Sequence, residues 1–199
     1  MEGEDIEILK YTKNIKRGFY VDVGCYHPTQ INNCNLLYQK GWTGVNIDIS
    51  RFSIDLFNYL RPKDLNINCA VSNSSEKVSF FYQKELSQLT SLKKNLAEER
   101  MQGHIKKGLI QSQTLTSILE SSKFKNKRID FLNIDIEGAD YETLLSLNFK
   151  KYRPKVICTE ITKKLDESEI NEFLNKKEYI LKWSSKSNIS HIFTDEKIM

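Results

Sequence analysis

Positions 135 to 140 read Asp-Ile-Glu-Gly-Ala-Asp, three carboxylates in six residues, and a fourth, Glu160, ends a later apolar run. Neighbouring carboxylates can take a proton from a hydroxyl or share a divalent ion. The same acids would also favour the dipole at the start of a helix. Asp135 is the candidate proton acceptor and also a candidate ligand contact, with Glu137 beside it. His27 is a further catalytic candidate. It follows the turn at Gly24, where it would touch a ligand, accept a proton, or only shape the turn before Pro28. Asp48 lies 24 residues after Gly24. An acid about 20 residues after a glycine turn takes hydrogen bonds from ribose hydroxyls in dinucleotide-type folds, although Asp48 would equally cap a helix starting near Ser50.

Asp22 sits inside an apolar run, where an unpaired carboxylate is costly. It either pairs with a nearby N–H or lysine, or faces a ligand. Asn33 offers an amide to a ligand's polar tail or is an exposed helix residue. Tyr26 and Gly24, in the turn itself, join the ligand-binding candidates.

These residues need a frame that brings them to one edge. Phe19 to Val23 is β-branched and aromatic, as suits a buried central strand, and Gly24 allows a sharp turn after it. Near-helical spacing over Thr29 to Lys40, stopped by Gly41, predicts a helix. Val45 to Ile49 is a second strand, Ser50 to Leu60 a helix closed by Pro62, and Leu65 to Val71 a third strand. A weak helix over Asp5 to Lys13 precedes them. This β-α-β-α-β order predicts a parallel sheet. Lys77 to Gln83 then reads as a strand without a preceding helix, a hairpin-like addition. Glu85 to Gly108 is polar, and reads either as solvated helix and loop or as a lid hinged at Gly103 and Gly108. The segment 84–112 is the expected lid or acceptor-binding insertion in an otherwise single domain. After Gln113 come a short helix around Leu115 to Leu119, a strand over Ile129 to Ile134, a helix over Tyr141 to Leu147, a strand over Lys155 to Ile161, and a helix over Glu167 to Lys176. Tyr179 to Trp183 and Ser190 to Thr194 close the chain as strands.

With 199 residues, 39% hydrophobic and 28% charged, the composition is that of one globular domain. The net charge of +4 is spread among acids, which argues against nucleic acid as a partner. No apolar run approaches the ~20 residues of a membrane span. The acidic start, Glu2 to Asp5, is unlike a signal peptide, and Cys25, Cys34, Cys69 and Cys158 lack metal-site spacing. A cytoplasmic protein with reduced cysteines is expected; its oligomeric state is left open.

The run Phe19 to Pro28, then Leu37-Tyr38 followed by Gly41 to Asp48, Ala70-Val71-Ser72, Leu96 to Arg100, Ile129 to Asp140 and Tyr152-Arg153-Pro154 together resemble the FkbM-type methyltransferases. These segments cover most of Phe19 to Glu160 in the family's order. The sequence departs from the pattern at Cys25, where alanine is common, and at Asn32-Asn33-Cys34, where Ser-Asn-Thr is common. The resemblance implies an α/β, Rossmann-like class I methyltransferase fold: a mostly parallel seven-stranded sheet with an antiparallel last strand and helices on both faces. It implies S-adenosylmethionine as cofactor and methylation of a hydroxyl on a sugar or glycan precursor. By family pattern, Asp22 and Gly24 would meet the methionine end, Asp48 the ribose, and Ala70 and Val71 the adenine. A divalent metal is compatible with the acids but not favoured. The rival readings are a nicotinamide-dependent oxidoreductase, disfavoured by the absence of G-x-G-x-x-G, a nucleic-acid methyltransferase, and a non-catalytic protein with the same fold.

Overall fold

The computed structural model describes residues 2–198. Helix α1 (Glu4–Thr12) leads into strand β1 (Phe19–Val23), followed by α2 (Asn35–Gln39), β2 (Thr43–Asp48), α3 (Arg51–Leu60) and β3 (Leu65–Asn68). The middle of the chain holds β4 (Ala70–Val71), β5 (Lys77–Tyr82), α4 (Lys94–Arg100) and β6 (Lys106–Gln113). Then come α5 (Leu115–Glu120), β7 (Phe131–Ile134), α6 (Asp140–Leu145), β8 (Val156–Glu160), α7 (Glu169–Lys176), β9 (Tyr179–Ser184) and β10 (Ser190–Asp195).

Seven strands form one sheet in the order β3-β2-β1-β7-β8-β10-β9. The pairs from β3 through to β8 are parallel, and β10 runs antiparallel to both β8 and β9. The expected architecture is therefore present. Every residue of β1 is buried, because helices cover both faces. Phe19, Val21 and Val23 join the core on one face with Leu132 and Ile134, and Tyr20 joins Leu37, Trp42 and Phe131 on the other. This two-residue alternation is the pleat of a strand. The chain runs outward from β1 to β3 and resumes on the opposite side at β7, so the strand order reverses between β1 and β7. Open α/β sheets bind ligands beyond the strand ends at such a reversal.

Three expectations need correction. The helix expected over Thr29 to Lys40 begins only at Asn35. Ile31 has φ 48, and the Asn32 side chain turns inward to donate to Asp22 and to the Cys25 carbonyl, which helical geometry would not allow. The strand expected over Leu65 to Val71 divides at Cys69. The Asn68 side-chain Nδ2 donates to the carbonyls of Asp48 and Ile49, each at 3.0 Å, and ends the pairing there. β4 then pairs in parallel with β6 in a second sheet, of order β4-β6-β5. Within the polar segment, Lys106–Gln113 is a strand antiparallel to β5. Gly108 is no hinge: a Cβ there would lie 2.4 Å from the Phe80 ring. It is the small residue that lets an aromatic lie across the neighbouring strand.

Candidate functional site

The ends of β1, β2 and β7 are bound to one another. The Gly24 and Cys25 amides donate to the Ile47 carbonyl at 2.9 and 3.2 Å, and the Asp135 amide donates to the Val23 carbonyl at 3.0 Å. Gly24 has φ +80, and a Cβ on it would lie 1.8 Å from the Asp135 carbonyl oxygen. Glycine is thus required twice over, by the backbone angle and by the closeness of the β7 turn. A cavity of about 270 Å³ opens at these strand ends.

The polar floor of the cavity is a chain of side-chain hydrogen bonds. Asp22 accepts from Asn32 at 2.8 Å and from Asn133 at 2.9 Å, so both carboxylate oxygens are engaged. Asn133 in turn accepts from Asn33 at 3.0 Å. Asn32 accepts from the buried Arg61 guanidinium at 2.9 Å, and Arg61 also donates to the Pro28 carbonyl. Burial raises the Asp22 carboxyl above its ordinary range, against the lowering effect of Asn133 and Asn32. Among the described residues, buried Asn33 Oδ1 has no hydrogen-bond partner, and Asn33 lines the cavity.

Asp48 clamps the cavity's other end. Its carboxylate accepts from the Tyr26 amide and the Ser50 amide, each at 2.8 Å. Tyr26 holds φ 54, and Ser53 donates to its carbonyl at 2.5 Å. Ser50 caps α3 by accepting from the Ser53 amide. Both roles considered for Asp48 are compatible, since a carboxylate has about four acceptor sites and the backbone uses two of them. Burial pushes the Asp48 carboxyl up to about 6, opposed by the Ser50 and Tyr26 amides. Cys69, Val71 and Ile49 form an apolar wall nearby.

The acids at the ends of β7 and β8 converge. Asp135, Glu137 and Glu160 each bring a carboxylate oxygen to within 4.8 Å of the others. Arg100, from α4, pairs with Glu137. The Asp135 carboxyl is pushed well above the carboxylate range, first by burial and then by the charges of Glu160 and Asp140. Burial also raises Glu160, against the pull of Arg100. Asp140 is pushed up to about 7 by burial and by Glu160. Such carboxylates bind protons more strongly than free ones and so make better bases when ionised.

Of the residues singled out in the sequence, Asp22, Gly24, Tyr26, Asn33, Asp48 and Val71 line this cavity. So do Asp135 and Glu137. Two candidates do not. His27 Nδ1 accepts from the amides of Thr29 and Gln30 at 3.2 and 3.1 Å, and the ring is a turn brace outside the lining. Ala70 alternates away, and Cys69 and Val71 on either side of it face the cavity instead. The period of two in that strand was the available signal. Asn32, Asn133 and Glu160 were missed or passed over, because only the folded sheet brings them beside Asp22 and Asp135. Cys25 is buried and its thiol is pushed up by burial, which makes it a packing residue and not a nucleophile. Ser87, Gln88, Thr90 and Leu92, from the expected insertion, border the same opening.

The family model described as the methyltransferase FkbM domain matches residues 22–181. Among solved structures, a TehB-like SAM-dependent methyltransferase from Corynebacterium glutamicum is similar, at 11% identity over 97% of this chain and 88% of that one, with a TM-score of 0.48. No curated protein matches.

Proposed function

The chain belongs to the FkbM methyltransferase family and is an S-adenosylmethionine-dependent enzyme, and we propose that it methylates a hydroxyl oxygen of a sugar or glycan precursor. The residues present fit the cofactor. The unpartnered Asn33 Oδ1 is an acceptor for the ammonium of the methionine end. Asp48 has acceptor sites left for ribose hydroxyls, and Cys69, Ile49 and Val71 offer an apolar wall to the adenine. When bound, the cofactor supplies an electrophilic methyl group on a sulfonium. Asp22 serves as a positioning residue, since both its oxygens fix the amides of Asn32 and Asn133. Tyr26 and Gly24 shape the turn between them.

The observation that carries the reading is Asp135, a carboxylate with raised proton affinity at the cavity's edge, with Glu137 and Glu160 around it. An attacking hydroxyl must lose its proton as the carbon–oxygen bond forms, and Asp135 accepts it. The rest of the work is alignment of the acceptor oxygen. The segment 84–112 supports acceptor binding, because its Ser87, Gln88, Thr90 and Leu92 border the opening. The test is release of S-adenosylhomocysteine with a panel of free sugars, sugar nucleotides and glycans, with the product located by mass spectrometry. A methyl ether on a sugar hydroxyl is expected. Transfer only to an amine, or only to nucleic acid, would overturn the reading.

A further inference from the structure

We infer that the end of the main sheet opposite the cavity is a docking face for an anionic phospholipid bilayer. Parallel strands all begin at one end, so the segments leading into β1, β3, β7 and β8 meet there. They are tied to one another. Lys123 Nζ donates to the Lys63 carbonyl at 3.3 Å, the Tyr152 hydroxyl to the Lys125 carbonyl at 2.9 Å, and the Asp130 amide to the Phe19 carbonyl at 2.9 Å. These segments are rich in exposed cations. Lys13, Lys16 and Arg17 precede β1, and Lys63 precedes β3. Lys123, Lys125, Lys127 and Arg128 precede β7, and Lys150 precedes β8. Among the described residues, none of these makes an ion pair. The acids nearby are already met: Lys155 pairs with Asp130 at 2.6 Å, Lys151 with Glu120 at 2.6 Å, and Arg153 with Asp195 at 2.7 Å. Exposed Glu196 is left against the unpaired cations. Charge that alternates with acids along the sequence is thus collected by the fold onto one face.

A separate observation concerns apolar side chains on the same face. Helices α3 and α6 run back from the cavity to the start of the next parallel strand, so their last residues lie here. Tyr59 and Leu60 end α3 just before Lys63 and are 83% and 42% exposed. Leu145 ends α6 ahead of Lys150 and is 46% exposed. Lysines with an exposed tyrosine and leucines suit the headgroup region of a bilayer: ammonium groups meet phosphates, and the ring and methyls enter the interface. Single-stranded nucleic acid calls instead for aromatics exposed along a groove, whereas Phe19, Phe124 and Tyr152 in these segments are buried. The opposite end, where the cavity opens, carries Glu2, Glu4, Asp48, Asp135, Glu137 and Glu160. An anionic surface attracts the first end and repels the second, so the docked molecule presents its cavity to solution. None of this depends on which group is methylated.

The experiment is co-flotation of the full chain with vesicles of phosphatidylcholine, alone or with about one-third phosphatidylglycerol, in about 50 mM and about 500 mM sodium chloride. Binding to the anionic vesicles at low salt is expected, with at least about ten-fold less on neutral vesicles or at high salt. Lys125→Glu/Lys127→Glu should weaken it by at least about ten-fold, and Tyr59→Ser should weaken it less. Lys106→Glu/Lys107→Glu makes the same change in net charge on exposed lysines of β6, and should bind within about three-fold of wild type. Circular dichroism establishes that each variant is folded. S-adenosylhomocysteine should bind the docked enzyme within about three-fold of its affinity in solution, because the cavity faces away. If the Lys125→Glu/Lys127→Glu variant fails to fold, the lipid comparison with wild type still decides. No preference for anionic vesicles, or equal binding by the two folded double variants, would overturn the inference. So would docking that blocks S-adenosylhomocysteine, or binding to an oligonucleotide that is tighter than to the vesicles and lost in Lys125→Glu/Lys127→Glu.

Discussion

Asp135 and His27 look alike in the sequence, as chemically able side chains next to glycine turns, and the fold gives them opposite situations. Asp135 enters the cavity among other acids. His27 spends its Nδ1 on two backbone amides of its own turn. Asp135→Asn should therefore leave S-adenosylhomocysteine affinity within about three-fold and lower kcat by ~10² or more, the range of a lost general base. His27→Ala should leave kcat within about three-fold and act through turn stability; stopped turnover in that variant would contradict this division. Asp48 gives a pH prediction. Its carboxyl is raised to about 6 from an ordinary 3.8, so the folded state keeps the proton where the unfolded chain has lost it. Its contribution to stability is complete below about pH 4 and is lost as pH rises through 6. In wild type without cofactor, the melting temperature should fall across that window. Asp48→Asn should make the fall shallower, the remainder coming from Asp22, Asp135, Asp140 and Glu160, whose carboxyls burial also raises, and an unchanged slope would count against the assignment.

The loop between β1 and α2 is held from outside the cavity by α3's closing residue. Arg61 is 1% exposed, lies between the rings of Phe57 and Tyr38 at 4.9 and 5.0 Å, and donates to the Pro28 carbonyl, Asn32 and Tyr20. Asn32 passes that restraint to Asp22. Arg61→Ala should cost about 3–5 kcal/mol, as when one partner of a buried charged network is removed. Arg61→Lys keeps the charge but loses the planar fork. It should fold, and it should raise the KM for S-adenosylmethionine more than it lowers kcat. A variant stable as wild type would show that the loop is held elsewhere. The α4 element shows a similar coupling, with Arg100 and Lys93 paired to Glu137 and Glu142 across the site's far wall.

For the molecule as a whole, ligand binding and folding are linked, because the cavity is built from the ends of three strands that must already be paired. S-adenosylhomocysteine at 100 times its Kd should stabilise the protein by about 2.7 kcal/mol. A differential scanning measurement with S-adenosylhomocysteine and NAD in parallel should show a rise with the first and none with the second. The reverse would restore the oxidoreductase reading. The sequence by itself determined most strands of the seven-stranded sheet. Its apolar runs and the single turn glycine were legible because strand identity depends on local period and on which residues resist water, while the antiparallel close was implied only by the family resemblance. It also marked Asp48 and Asp135, since acids at strand ends in this order carry a positional meaning. Tertiary structure alone decided three things. It broke the helix after Pro28 so that Asn32 could reach Asp22, and it removed His27 from the cavity. It also set Glu160 beside Asp135, residues 25 positions apart in the sequence. The physical reason is common to all three. A polar side chain's role depends on which partner satisfies it, and hydrogen bonds between distant segments leave no period in the chain.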